Sequence, residues 1–143
     1  VIKADELPKG AIVTPSSKEF EMVFGIPQPA DMEDRAKLIC EVAHKYGIVI
    51  LTKDETSLVS DGDRIVAIEG GSDGLVKGGV GDVTAGLVLG YLAKDNQLEA
   101  CAYASHLVKV AGKKLMKERS LMFSAQDLAE TIPSVYGELV ERL

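Results

Sequence analysis

No apolar run in this chain reaches the ~18 residues that a membrane-spanning helix needs, so no membrane partner is expected. Basic residues are scattered, with a short cluster only at Lys113, Lys114 and Lys117, and the net charge is −6. That balance argues against nucleic acid as a partner. Only two histidines occur, His44 and His106, which speaks against a histidine-based metal site. The two cysteines, Cys40 and Cys101, fall in apolar helical patterns and read as buried free thiols rather than a disulfide or metal pair. The N-terminus, Val1 to Glu6, has neither signal-peptide organisation nor an initiator Met. It reads as the start of a processed, trimmed or cut chain, with the cytoplasm as the expected location.

What the chain does have is enough apolar sequence for one folded domain. Hydrophobic residues make up 46% and charged residues 27% of its 143 residues. No internal repeat, low-complexity tract or domain boundary interrupts residues 1–143.

Residues 11–14 read as a short buried strand stopped by Pro15. Ser16 and Glu19 then have the spacing of a capping box, which predicts a short helix ending near Gly25. Asp31 is a suitable N-cap for a second helix, whose apolar face is Met32, Ala36, Ile39, Cys40 and Ala43, with Gly47 at its end. The apolar, β-branched run 48–51 suits a strand covered on both faces. Strand, helices and strand over 11–51 form a right-handed crossover unit. Asp61-Gly62 between two β-branched runs predicts a hairpin over about residues 56–68. Residues 83–93 are apolar almost all round, which predicts a helix buried on most sides. A further helix is expected over 98–117. A C-terminal helix should open at Ser124 and be interrupted or restarted near Pro133. The fold class is α/β, with a mainly parallel sheet, an edge hairpin and helices on both faces.

The chemistry concentrates in the glycine-rich stretch from Gly70 to Gly86, between a strand and a helix. Gly78, Gly79 and Gly81 let the backbone approach a ligand and turn its N–H groups inward. The first helical turn adds unpaired donors and a positive dipole end, so the whole suits phosphate. Asp82 at the mouth of such a site repels phosphate but makes sense as a base that takes a proton from a substrate hydroxyl. Its plainer role is the N-terminal charge of its helix. Lys53 to Ser57 follows the buried strand 48–51, where open α/β sheets carry ligands. Lys53 could reach a nucleotide phosphate, or it could be a solvated lysine beside Asp54 and Glu55. Thr14, Pro15, Ser16 and Glu19 also lie at a strand's carboxyl end, where Ser16 and Glu19 already have work as a helix cap. His106 reads as a packed or partly exposed histidine.

Together these residues resemble the C-terminal half of the ATP/ADP-dependent NAD(P)H-hydrate dehydratase family, a branch of the ribokinase-like superfamily of carbohydrate kinases. Thr14-Pro15 with Glu19-Phe20 resembles the family's Thr-Pro-His-x-Gly-Glu-Phe segment, and residues 51–61 its Lys-Gly and hairpin region. Residues 74–86 are similar to its signature Gly-Leu-x-x-Gly-Gly-x-Gly-Asp-x-x-Ala-Gly. The resemblance implies a ribokinase-like three-layer α/β/α fold, half of the full family domain. It implies repair of hydrated NAD(P)H, in which a nucleotide phosphorylates the added hydroxyl and phosphate then leaves. ATP or ADP would be the co-substrate, with Mg2+ accompanying it. Asp82 would be the base and touch the substrate, as would Ser16. Gly78, Gly79 and Gly81 would hold the nucleotide phosphates, and Lys53, Asp54, Glu55, Thr56 and Ser57 the AMP part. The partners would be nucleotide, a small-molecule substrate and either a missing N-terminal half or a second copy. Ser16 stands where the family has His, and Lys18 and Asp54 stand where it has Gly. Those departures leave open another ribokinase-like kinase acting on a sugar or vitamin alcohol, and the missing half leaves open a nucleotide-binding half-domain without catalysis.

Overall fold

The computed structural model describes residues 2–142. Its elements are β1 (Ile12–Val13), α1 (Ser17–Phe24), α2 (Met32–Tyr46), β2 (Val49–Leu51), β3 (Ser57–Ser60), β4 (Ile65–Ile68), α3 (Val80–Tyr91), α4 (Gln97–Arg119) and α5 (Ala125–Val140). A short 3-10 turn, Asp73–Leu75, divides the glycine-rich stretch.

The sheet order is β1-β2-β3-β4. β1 and β2 are parallel, β2 and β3 antiparallel, and β3 and β4 antiparallel. β1, β2 and β4 therefore point the same way, and only β3 runs against them. The Asp61-Gly62 turn works as predicted. Gly62 has φ 94°, and Asp61 accepts hydrogen bonds from the Asp63 and Arg64 amides.

Alternation along the strands divides the core into two sides. Ile48, Ile50 and Leu58 pack against Phe20, Ile39 and Ala43 of α1 and α2. Val49, Leu51, Val59 and Ile68 pack on the opposite face against Val88, Ala100, Cys101 and Ala104 of α3 and α4. The result is the three-layer α/β/α arrangement. A further apolar cluster, including Leu107, Leu115, Leu128 and Val135, joins α4 to α5. Both thiols are free; Cys40 is only half-buried, and burial pushes the Cys101 thiol up to about 12.

Two expectations about helices need correction. α3 is not buried on most sides: Val80, Thr84 and Val88 are covered, but Leu89 is 73% exposed. α4 and α5 pack on one side of it, and nothing among the described residues covers the other. α5 is not interrupted, because Pro133 lies inside a continuous helix. Its ring is on the solvent side, as is Ala129, whose carbonyl loses its helical partner to the proline and stays open to water. His106 is exposed.

Candidate functional site

The carboxyl ends of β1, β2 and β4 meet at one edge of the sheet, and an open cleft of about 850 Å³ lies there. Open α/β sheets place ligands at this end of their strands. Ser16 enters it from β1, Lys53 to Glu55 from β2, and Gly71 and Ser72 from β4. α3 and α4 close the far side with Gly81, Thr84 and Lys109.

α3 begins where the chain requires it. Gly79 is the N-cap with φ 88°, and a Cβ there would come 2.8 Å from the Ala125 side chain. Val83 N donates to Gly79 O at 3.1 Å as the first full helical turn closes. The amides of Gly81 and Asp82 come before that bond, so they belong to the donor end of the helix. The stretch leading to Gly79 is pinned from behind. Lys77 Nζ donates to Phe123 O at 2.6 Å and Leu121 O at 3.2 Å, and lies 3.9 Å above the Phe123 ring.

The Lys53 ammonium stands beside this helix end, 3.0 Å from where a Cβ on Gly81 would sit. Its backbone N–H donates to Pro15 O at 3.2 Å, and Glu19 Oε2 lies 3.2 Å from Nζ. Glu19 also accepts from Ser16 N at 2.6 Å, completing the predicted capping box. The Ser16 amide first, then the Ser16 hydroxyl and Lys53, hold the Glu19 carboxyl below its ordinary range. A cation thus lies beside a positive helix end, an arrangement suited to an anion.

The loop from Lys53 to Ser57 is held on three sides. Asp54 Oδ1 accepts from Ser17 Oγ at 3.0 Å, while its buried Oδ2 has no partner among the described residues. Glu55 O accepts from Gly71 N at 2.9 Å. Gly71 cannot carry a side chain at this approach, because a Cβ would lie 2.6 Å from Glu55 Cα. Behind the loop, Lys109 Nζ donates to Glu55 O at 2.7 Å, Asp54 O at 3.2 Å and Ile68 O at 2.6 Å.

Of the residues singled out in the sequence, Ser16, Lys53, Asp54, Glu55, Ser57 and Gly81 border the cleft. Thr56, Gly78, Gly79 and Asp82 lie outside its lining, and Asp82 is exposed on the first turn of α3, one residue beyond Gly81. Lys109, Ser72 and Thr84 were missed. Lys109 had a legible signal: it lies two i+4 steps from Cys101 and so shares the buried face of α4.

Residues 3–134 match the carbohydrate-kinase family described as NAD(P)H-hydrate dehydratase. The chain belongs to the NAD(P)H-hydrate dehydratase family. It is 38% identical over 135 residues to the ADP-dependent (S)-NAD(P)H-hydrate dehydratase of Cenarchaeum symbiosum strain A, covering 94% of this chain and 47% of that protein. It is 35% identical over 128 residues to the enzyme of the same name from Nitrosopumilus maritimus strain SCM1, covering 89% and 45%. A solved ADP/ATP-dependent NAD(P)H-hydrate dehydratase from Bacillus subtilis, co-crystallized with ATP/Mg2+, superposes with a TM-score of 0.83 at 27% identity. That match covers 92% of this chain and 50% of the Bacillus one. The chain therefore spans about half the length of the family relatives it matches.

Proposed function

We propose that this chain carries half of a nucleotide-dependent site that repairs hydrated NAD(P)H. The terminal phosphoryl group of ADP or ATP passes to the added hydroxyl, and its proton goes to Asp82. The C–O bond then breaks, phosphate leaves, and loss of a ring proton restores the reduced nicotinamide. Lys53 and the donor end of α3 at Gly81 hold the phosphates, with Gly78 and Gly79 setting the turn. Asp54 to Ser57 border the AMP portion, and Ser16 faces the substrate. The observation that carries this reading is the Lys53 ammonium beside Gly81 at the start of α3, in a chain of this family.

Among the described residues, no group of three or more His, Cys, Asp or Glu side chains is placed to hold a metal. Mg2+ would be carried in by the nucleotide phosphates, as this ion commonly is in phosphoryl-transfer sites. Bound that way, the ion would neutralise phosphate charge while Lys53 and the Gly81 amide orient the phosphates.

The substrate wall opposite Asp82 would come from the segment that the longer relatives have beyond the matched part. The direct test incubates the chain with hydrated NADH and ADP or ATP, alone and mixed with such a segment, and follows the return of NADH absorbance. Absence of turnover in both mixtures would count against the reading.

A second reading, nucleotide binding without catalysis, draws on the exposure of Asp82 outside the cleft lining. A base with no wall around it has neither the desolvation nor the substrate positioning that general-base catalysis requires. Calorimetric binding of ADP without turnover in any mixture would favour it.

A further inference from the structure

We propose that Lys109 is the positioning residue of the nucleotide site: its ammonium, inserted from α4, sets the course of the Lys53–Ser57 loop. This rests on the nucleotide reading above. Lys109 is 5% exposed, which is rare for a lysine, and it makes no close ion pair among the described residues. Its three hydrogen bonds go to main-chain carbonyls of Asp54, Glu55 and Ile68. An ammonium has three donors and no acceptor, so the set is complete. The three carbonyls come from two segments, the loop after β2 and the end of β4, which Gly71 and Glu55 also join.

An aliphatic residue of similar length would fill the same space on α4 but leave these carbonyls short of a donor. Glu55 O would retain Gly71 N, Asp54 O would retain Ser57 Oγ at 3.3 Å, and Ile68 would keep its place opposite Ser57 in the β3–β4 ladder, but each carbonyl would lose its charged donor. Lys53 heads the loop, so a shift of Asp54 and Glu55 moves the base of the lysine that faces Gly81. Burial lowers the Lys109 ammonium to about 8, opposed by the nearby Asp54, Glu55 and Glu69 carboxylates. It is still mostly charged at neutral pH, and the three bonds are charge-assisted. Lys109 borders the cleft, but its three donors are already taken by these carbonyls. Its effect passes through the loop.

The test measures ADP affinity by calorimetry for the chain and for Lys109→Met and Lys109→Gln, with folding verified by circular dichroism. Hydrogen exchange of the 54–58 amides is followed in each protein without nucleotide. The expected result for Lys109→Met is a folded protein with faster exchange confined to this loop and ADP affinity at least about tenfold weaker. Lys109→Gln, which still donates, should fall between the two proteins in both measures. A folded Lys109→Met protein with unchanged loop exchange and unchanged ADP affinity overturns the proposal. If Lys109→Met does not fold, Lys109→Gln decides by the same criteria. If the unaltered chain binds no ADP, either alone or mixed with the relatives' additional segment, the nucleotide reading fails by itself. Loop exchange then decides whether Lys109 still fixes the loop.

Discussion

In the proposed reading, Asp82 and Lys53 would divide two tasks that a single affinity measurement would blur. Asp82 is exposed one residue beyond Gly81, whereas Lys53 stands against Gly81 itself. In that reading, replacing Asp82 with Asn would remove the base but leave the phosphate donors in place. Turnover should fall by at least about a hundredfold, while ADP affinity stays within about threefold. Steady-state rates set beside calorimetry check this, and unchanged turnover would refute the role given to Asp82. Glu19 permits a pH prediction. Its carboxyl is held below the ordinary value of 4.5 by the Ser16 amide and hydroxyl and by Lys53. A lowered folded-state value means that the stabilisation is complete above 4.5 and is lost as pH falls through the lower native value. Glu19→Gln should therefore flatten part of the acid limb of the Tm-against-pH curve. An identical acid limb in the variant would show that the cap and ion pair contribute nothing.

At the scale of elements, the cleft depends on segments that touch through glycine. Gly71 meets Glu55 backbone to backbone, and no side chain fits between them. Gly71→Ala must push the loop after β2 away from the end of β4, at a cost of about 1–3 kcal/mol measured by chemical denaturation. It should also weaken ADP binding, because the displaced loop carries Lys53. Gly81 differs. A Cβ there meets only the far end of the flexible Lys53 chain, so Gly81→Ala should leave stability nearly unchanged and lower ADP affinity by moving the ammonium. Loss of stability without loss of affinity at Gly81 would contradict the anion site. The caps at Ser16, Asp31 and Ser124, and the Asp61-Gly62 turn, were legible because each depends on neighbours within four residues. The continuity of α5 through Pro133 was not. It depends on which face of the helix meets solvent, and that is set by packing on α4.

For the whole molecule, the unanswered feature is the uncovered side of α3 together with the outer edge of β1. Leu89 lies open on an apolar helix, and β1 ends the sheet with its outer side unpaired among the described strands. If the longer relatives' additional segment covers that side, mixing it with the chain should produce a stable complex in sedimentation. Leu89→Lys should weaken that complex while leaving the circular dichroism spectrum of the chain unchanged. A Leu89→Lys chain that assembles as before would remove α3 from the interface. The local structure was already decided by the sequence: strand against helix by hydrophobic period, caps and turns by residue type, and the turn that opens α3 by its glycines. Those depend on interactions a few residues long. Only tertiary structure decided that Lys53 stands at Gly81, that Lys109 reaches under the loop from 54 residues away, and that Asp82 lies outside the cleft. Each is a distance between segments that only the packing of helices on the sheet brings together.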